Sequence, residues 1–179
     1  MGQGGEAAEA ATPLDHLRYL GAESPRSSQV GSAAPSSNIK CLQVNAQHAK
    51  QAQHEINRWI DQQRKGSYIV LVQEPYLYKE RVAIQPLNGN KYSSKSKART
   101  AIYTDKEMGG WYLEHLSHRD ATVVVAKIKN RTTVIASVYL DYSENNPVIP
   151  SWLDDIVRYA ENKGYFVWYG LKLSQHPVW

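Results

Sequence analysis

Two side chains stand where chemistry could begin. Asn45 closes a β-type run in Leu42-Gln-Val-Asn-Ala-Gln-His-Ala49, and Glu74 closes a second in Leu71-Val-Gln-Glu-Pro-Tyr76. An amide oxygen and a carboxylate are hard ligands of the kind Mg²⁺ takes, and that ion is satisfied with one or two protein carboxylates plus water and phosphate. The plainer alternative is that Asn45 caps a helix and Glu74 is a solvated strand-end residue. Spacing leaves both open. The histidines add nothing definite: His48, His54 and His115 show no ligand spacing to carboxylates, and His118-Arg-Asp120 reads as a local charge cluster.

The elements around these two residues are what must position them. Ile39–Val44 reads as a strand, and residues 47–64 place Ala49, Ala52, Ile56, Trp59 and Ile60 on one side of an amphipathic helix that stops at Gly66. Tyr68–Val72 is a continuous apolar run, the pattern of a strand buried on both faces. Strand, helix and strand at this spacing predict a parallel crossover and an α/β class. In such sheets, residues beyond the carboxyl ends of parallel strands meet in one crevice, which would bring Asn45 and Glu74 together.

Downstream, residues 76–97 carry little apolar periodicity, with a turn expected at Asn88-Gly89-Asn90. Strands are expected at 101–104, 122–128 and 133–140, the last two as a hairpin about Lys129-Asn130-Arg131. Ser151 is the expected N-cap of a second helix carrying Trp152, Ile156 and Tyr159 on one side. Gly164 ends it before a strand at 165–169.

Composition bounds the rest. The chain has 179 residues, a formal charge of +4 and 42% hydrophobic residues, enough for one packed domain. Residues 1–37 are rich in Gly, Ala, Ser and Pro and read as a disordered low-complexity leader before a domain at 38–179. A single cysteine, Cys41, excludes an intramolecular disulfide and a cysteine zinc cluster and suits an intracellular protein. No run is apolar enough for a membrane span. Residues 79–106 hold seven basic against two acidic side chains, with Tyr92 and Tyr103 interleaved. Lys91, Lys95, Lys97 and Arg99 are its candidate phosphate contacts.

Six strings in order carry a resemblance: the two quoted above, then Arg99-Thr-Ala-Ile-Tyr103, Asp120-Ala-Thr-Val-Val124, Ala136-Ser-Val-Tyr-Leu-Asp141, and Gly170 with His176-Pro-Val-Trp179. Over about Asn38–Trp179 the chain resembles the apurinic/apyrimidinic-like endonuclease domain of non-LTR retrotransposons, within the endonuclease/exonuclease/phosphatase family. The resemblance implies an α/β, DNase I-like β-sandwich flanked by helices. It implies Mg²⁺ as cofactor, DNA as partner, a nuclear location, and a nick in target DNA that primes reverse transcription. It assigns Asn45 to positioning phosphate and nucleophile, Glu74 to metal binding, and Tyr139 to the scissile phosphate.

The resemblance breaks at one motif. The family carries Asp-x-Asn before the tryptophan matching Trp179, the Asp orienting and deprotonating the attacking water. Counting back from Trp179 puts Leu171 and Leu173 there; a register anchored on Gly170 puts Lys172 and Ser174 there. Neither supplies a carboxylate. His176 falls in the matched segment and reads as structural. The family's later Ser-Asp-His segment also lies beyond the sequence given, so the expectation is a truncated sandwich with part of its inner face uncovered. In function, the expectation is a nuclease by ancestry that no longer cuts, the alternatives being a basic nucleic-acid-binding remnant or a non-functional element fragment.

Overall fold

The computed structural model describes residues 38–63, 66–83, 86–142 and 149–175, with backbone alone at 141–142 and 172–175. The leader and residues 176–179 lie outside them.

Two crossover units frame the molecule. β1 (Lys40–Asn45) runs into α1 (Lys50–Gln62) and returns as β2 (Tyr68–Gln73), parallel to β1. At the other end of the chain β9 (Arg131–Tyr142), α2 (Ser151–Lys163) and β10 (Phe166–Gln175) repeat the arrangement, β10 parallel to β9. Between them lie a small hairpin, β3 (Leu77–Tyr78) and β4 (Arg81–Val82), then β5 (Gly89–Tyr92), β6 (Thr100–Asp105), β7 (Gly110–Tyr112) and β8 (Ala121–Ile128). The strand orders are β1-β2-β6-β5 and β10-β9-β8-β7.

The two four-stranded sheets stack strand over strand. Their facing residues Ile69, Leu71, Ile102, Val124, Ala126 and Ile135 form the central core. Helix α1 covers the outer face of the first sheet through Ile56 and Ile60, and α2 covers the second through Ile156 and Ala160. An apolar face must be covered on each side of a sheet, and four layers achieve this.

Several expectations are corrected. α1 begins three residues later than its periodicity suggests, because Gln47 and His48 take left-handed backbone angles (φ 48° and 55°). The cap of α2 is Pro150, with Ser151 as first helical residue and no side-chain cap bond. Gly89 and Asn90 belong to β5 rather than to a turn. The featureless stretch after Tyr76 holds β3, β4 and β5, strands too short to show periodicity. The turn of the first hairpin is Lys79-Glu80 (φ 48° and 64°), an unusual pair for a position that favours glycine or asparagine.

The expected uncovered inner face is also corrected. The second sheet holds four strands among the described residues, and Ile69, Val124 and Ile135 are fully buried. The physical reason is β10: it extends through Gln175 and pairs with β9 over ten residues. Gly170 permits this close fit, since a Cβ there would lie 2.8 Å from a methyl of Leu71 and 2.9 Å from Gln43.

Candidate functional site

The carboxyl ends of β2 and β9 and the starts of β6 and β8 meet at one end of the sandwich, over a buried polar layer. Gln73 pairs with Thr100 on the first sheet and Thr122 with Ser137 on the second. Across the gap, Gln73 Nε2 donates to Ser137 Oγ at 3.2 Å, and the hydroxyls of Thr100 and Thr122 lie 2.9 Å apart. Ser137 Oγ donates in turn to the Val72 carbonyl and Thr122 Oγ1 to the Thr100 carbonyl, both at 3.0 Å. All four residues are buried. Satisfied polar groups in a low-dielectric interior fix one arrangement of the two sheets.

The next residues outward form the site's rim. Glu74 follows Gln73 in a left-handed conformation (φ 49°), its N–H donating to the Arg99 carbonyl and its carbonyl accepting from His48 N–H, both at 2.8 Å. Asn45 Oδ1 accepts from the Gln47 N–H at 2.9 Å, so it organises its own turn rather than capping α1, whose N-cap is Ala49. The loops after β1 and β2 are thus tied together, placing Asn45 and Glu74 at adjacent strand ends. A left-handed glutamate at a strand end is the kind of strained position that collects at functional sites.

Tyr139 sits on β9 beside this pair of loops. Its N–H donates to the Asp120 carbonyl at 2.9 Å, and the Arg99 guanidinium lies over its ring. Arg99 Nε donates to Asp120 Oδ1 at 2.5 Å. His118 Nδ1 accepts from the Asp120 N–H at 3.2 Å. Burial, partly opposed by the Asp120 charge, holds the His118 pKa below its ordinary value. Asp120 therefore anchors Arg99, which in turn covers Tyr139. Sequence reading missed the polar layer and Asp120's part. The signal was there: Gln73, Thr100, Thr122 and Ser137 interrupt runs that are otherwise apolar.

The family's aspartate position falls on β10. Position 172 is the backbone partner of Tyr139, and Leu171 packs in the cluster beneath α2. Phe166–Gln175 contains no acidic residue in any register. Among the described residues no three His, Cys, Asp or Glu side chains come together as a metal cage. The residues at the rim that could hold a cation are Glu74, through its carboxylate, and Asn45, through an amide oxygen that already accepts from the Gln47 N–H. That donor set fits Mg²⁺ shared with water and a phosphate rather than a dedicated cage.

The four basic residues expected to bind nucleic acid do not form one free patch. Lys97 pairs with Glu80 at 3.4 Å and Arg99 with Asp120. Lys95 pairs with Glu114 at 2.7 Å; the contact raises the Lys95 pKa and lowers that of Glu114. Lys91 donates to the Val82 carbonyl at 3.0 Å, and burial lowers its pKa.

Among solved structures, the endonuclease domain of TRAS1, a telomere-specific non-LTR retrotransposon, superimposes with a TM-score of 0.52 at 20% sequence identity. The match covers 73% of this chain and 57% of that one. The chain shares its fold with that domain. No family model and no curated protein matches the sequence. Among the described residues no helix is long and apolar enough to cross a membrane.

Proposed function

We propose that this chain is a retrotransposon-type endonuclease domain by ancestry that engages the phosphate backbone of DNA at the rim but does not cut it. The observation that carries this reading is β10: the strand alongside Tyr139 offers no carboxylate to take a proton from water. Loss of a general base alone typically costs ~10²–10⁴-fold in rate. Leucine cannot hydrogen-bond a water, and lysine brings positive charge where a base is needed.

Tyr139, whose N–H bonds to Asp120 and whose ring lies against Arg99, is the residue that would meet a phosphate oxygen. Glu74 and Asn45 are the residues that would hold Mg²⁺, whose charge would offset that of the phosphate. Without a base, this arrangement binds and orients a backbone; it has no route for the nucleophile's proton.

Binding to a labelled 20-base-pair duplex over a range of salt concentrations tests the reading. The expected result is weak sequence selectivity and a steep fall with salt, ~0.9 in log–log slope per neutralised phosphate. Binding that is absent or independent of salt would overturn it.

A further inference from the structure

A cleft of about 530 Å³ opens on the opposite long edge of the sandwich from β1 and β10, where β4, β5 and β7 meet. Three cations line it, Arg81, Lys91 and Lys95, together with Tyr92 and Tyr112. The two tyrosine rings stack at 6.5 Å between centroids and 20° between planes. Tyr92 Oη donates to the Gly110 carbonyl at 3.3 Å, and a Cβ at Gly110 would lie 2.9 Å from that same hydroxyl oxygen. Gly110 therefore lets the edge strands close up and hold the aromatic pair in place.

The cations differ in how firmly they are engaged. Arg81 has no ion-pair partner among the described residues. Lys91 uses one of its three N–H donors on Val82. Lys95 and Glu114 are both largely exposed, at 90% and 70% of the side chain, and such pairs contribute little. All three can therefore turn to an anion. The volume falls within the roughly 300–1,000 Å³ typical of pockets for small organic ligands. It takes one nucleotide unit and is too small for a duplex.

Resting on the nucleic-acid reading above, we propose that this cleft binds a single-stranded stretch of nucleic acid. One phosphate lies on Arg81, Lys91 and Lys95, with the neighbouring base against the Tyr92–Tyr112 pair. Positive charge beside aromatic faces is the chemistry that holds single strands without reading sequence. The cleft is joined to the rim by the short β3–β4 hairpin, which starts three residues after Glu74. A strand leaving Glu74 could follow that hairpin to Arg81.

Fluorescence anisotropy of labelled dT12 on the full chain tests this. The Arg81→Gln/Lys95→Gln variant should weaken binding at least 10-fold. It should also flatten the salt slope by up to about 0.7, the value for one phosphate of a single strand. Glu114→Gln, which releases Lys95, should tighten binding 2- to 5-fold, a gain that a misfolded variant could not show. Lys127→Gln, an exposed cation on β8, should change nothing. Thymidine monophosphate should fail to displace dT12 below millimolar concentration; displacement at micromolar levels would make the ligand a free nucleotide and overturn the strand assignment. Duplex binding without dT12 binding, or dT12 affinity unmoved by Arg81→Gln/Lys95→Gln and Glu114→Gln, would overturn the cleft alone. Failure to bind either DNA would overturn both the cleft and the nucleic-acid reading.

Discussion

The guanidinium of Arg99 lies 4.3 Å from the ring centroid of Tyr139. This contact joins the start of β6 to the end of β9, one residue from the buried polar layer on Arg99's side and two on Tyr139's. Asp120 holds the arginine there. An arginine that looks in sequence like part of a DNA-binding patch is thus a bracket for the residue expected to meet the scissile phosphate.

Replacing Arg99 with Gln should therefore cost stability as well as charge. A hydrogen bond to a charged partner contributes ~1.5–3 kcal/mol. The pair is partly exposed (16% and 26% of the side chains), so solvent screening reduces the expected loss to about 1–2 kcal/mol. Urea denaturation measures it. An unchanged midpoint would show that the bracket contributes nothing.

Ser137→Ala should be more costly than its size suggests. It removes the 3.2 Å bond from Gln73 and the 3.0 Å bond to the Val72 carbonyl, both buried. A buried polar group left without a partner costs ~1–3 kcal/mol. A loss under about 0.5 kcal/mol in the same denaturation assay would mean that the polar layer does not tie the sheets.

These four polar residues also mark how far sequence reading reaches here. The crossover β1-α1-β2, the β8–β9 hairpin and α2 are legible because long runs impose a period of two or of three to four. Gly164 ends α2 in the left-handed conformation (φ 65°) its residue type suggests. Asn45, Glu74 and Tyr139 could be named from motifs, whereas their support could not. Gln73, Thr100, Thr122 and Ser137 lie 22 to 64 residues apart across the gap, and only stacking of the two sheets brings them together. The short strands β3, β5 and β7 were invisible because two to four residues cannot display a period. The basic stretch was overcounted because Glu114 and Asp120 reach Lys95 and Arg99 only in the fold, and Glu80, inside the stretch, pairs with Lys97 across the loop.

Two glycines should respond in opposite ways. Gly170→Ala forces a methyl against Leu71 and Gln43, and overpacking of this kind typically costs ~1–3 kcal/mol. Gly66→Ala meets nothing within 4 Å and should leave stability unchanged or raise it by about 0.4–1 kcal/mol. Equal thermal midpoints for the two variants would contradict the close approach of β10 to the first sheet.

His118 should make stability fall on mild acidification. Its pKa in the folded chain lies below the ordinary 6.5, chiefly through burial against groups that include Trp152, 4.5 Å away between ring centroids. Below about pH 6.5 the unfolded chain takes the proton more readily, so stability is full above that pH and declines as pH drops toward the folded-state value. His118→Phe should flatten the stability curve between pH 7 and pH 5 relative to the parent. An identical slope would remove His118 as its source.

The most direct measurement is cleavage itself. Supercoiled plasmid is incubated with the chain in Mg²⁺ or Mn²⁺ and followed for conversion to open circles, beside Glu74→Ala and Tyr139→Phe. The expected result is that the parent binds plasmid but leaves it supercoiled, with no open circles formed by any of the three proteins. Open circles that accumulate with the parent chain and vanish with Glu74→Ala would contradict the claim that β10, lacking an acidic residue, leaves this fold without its base.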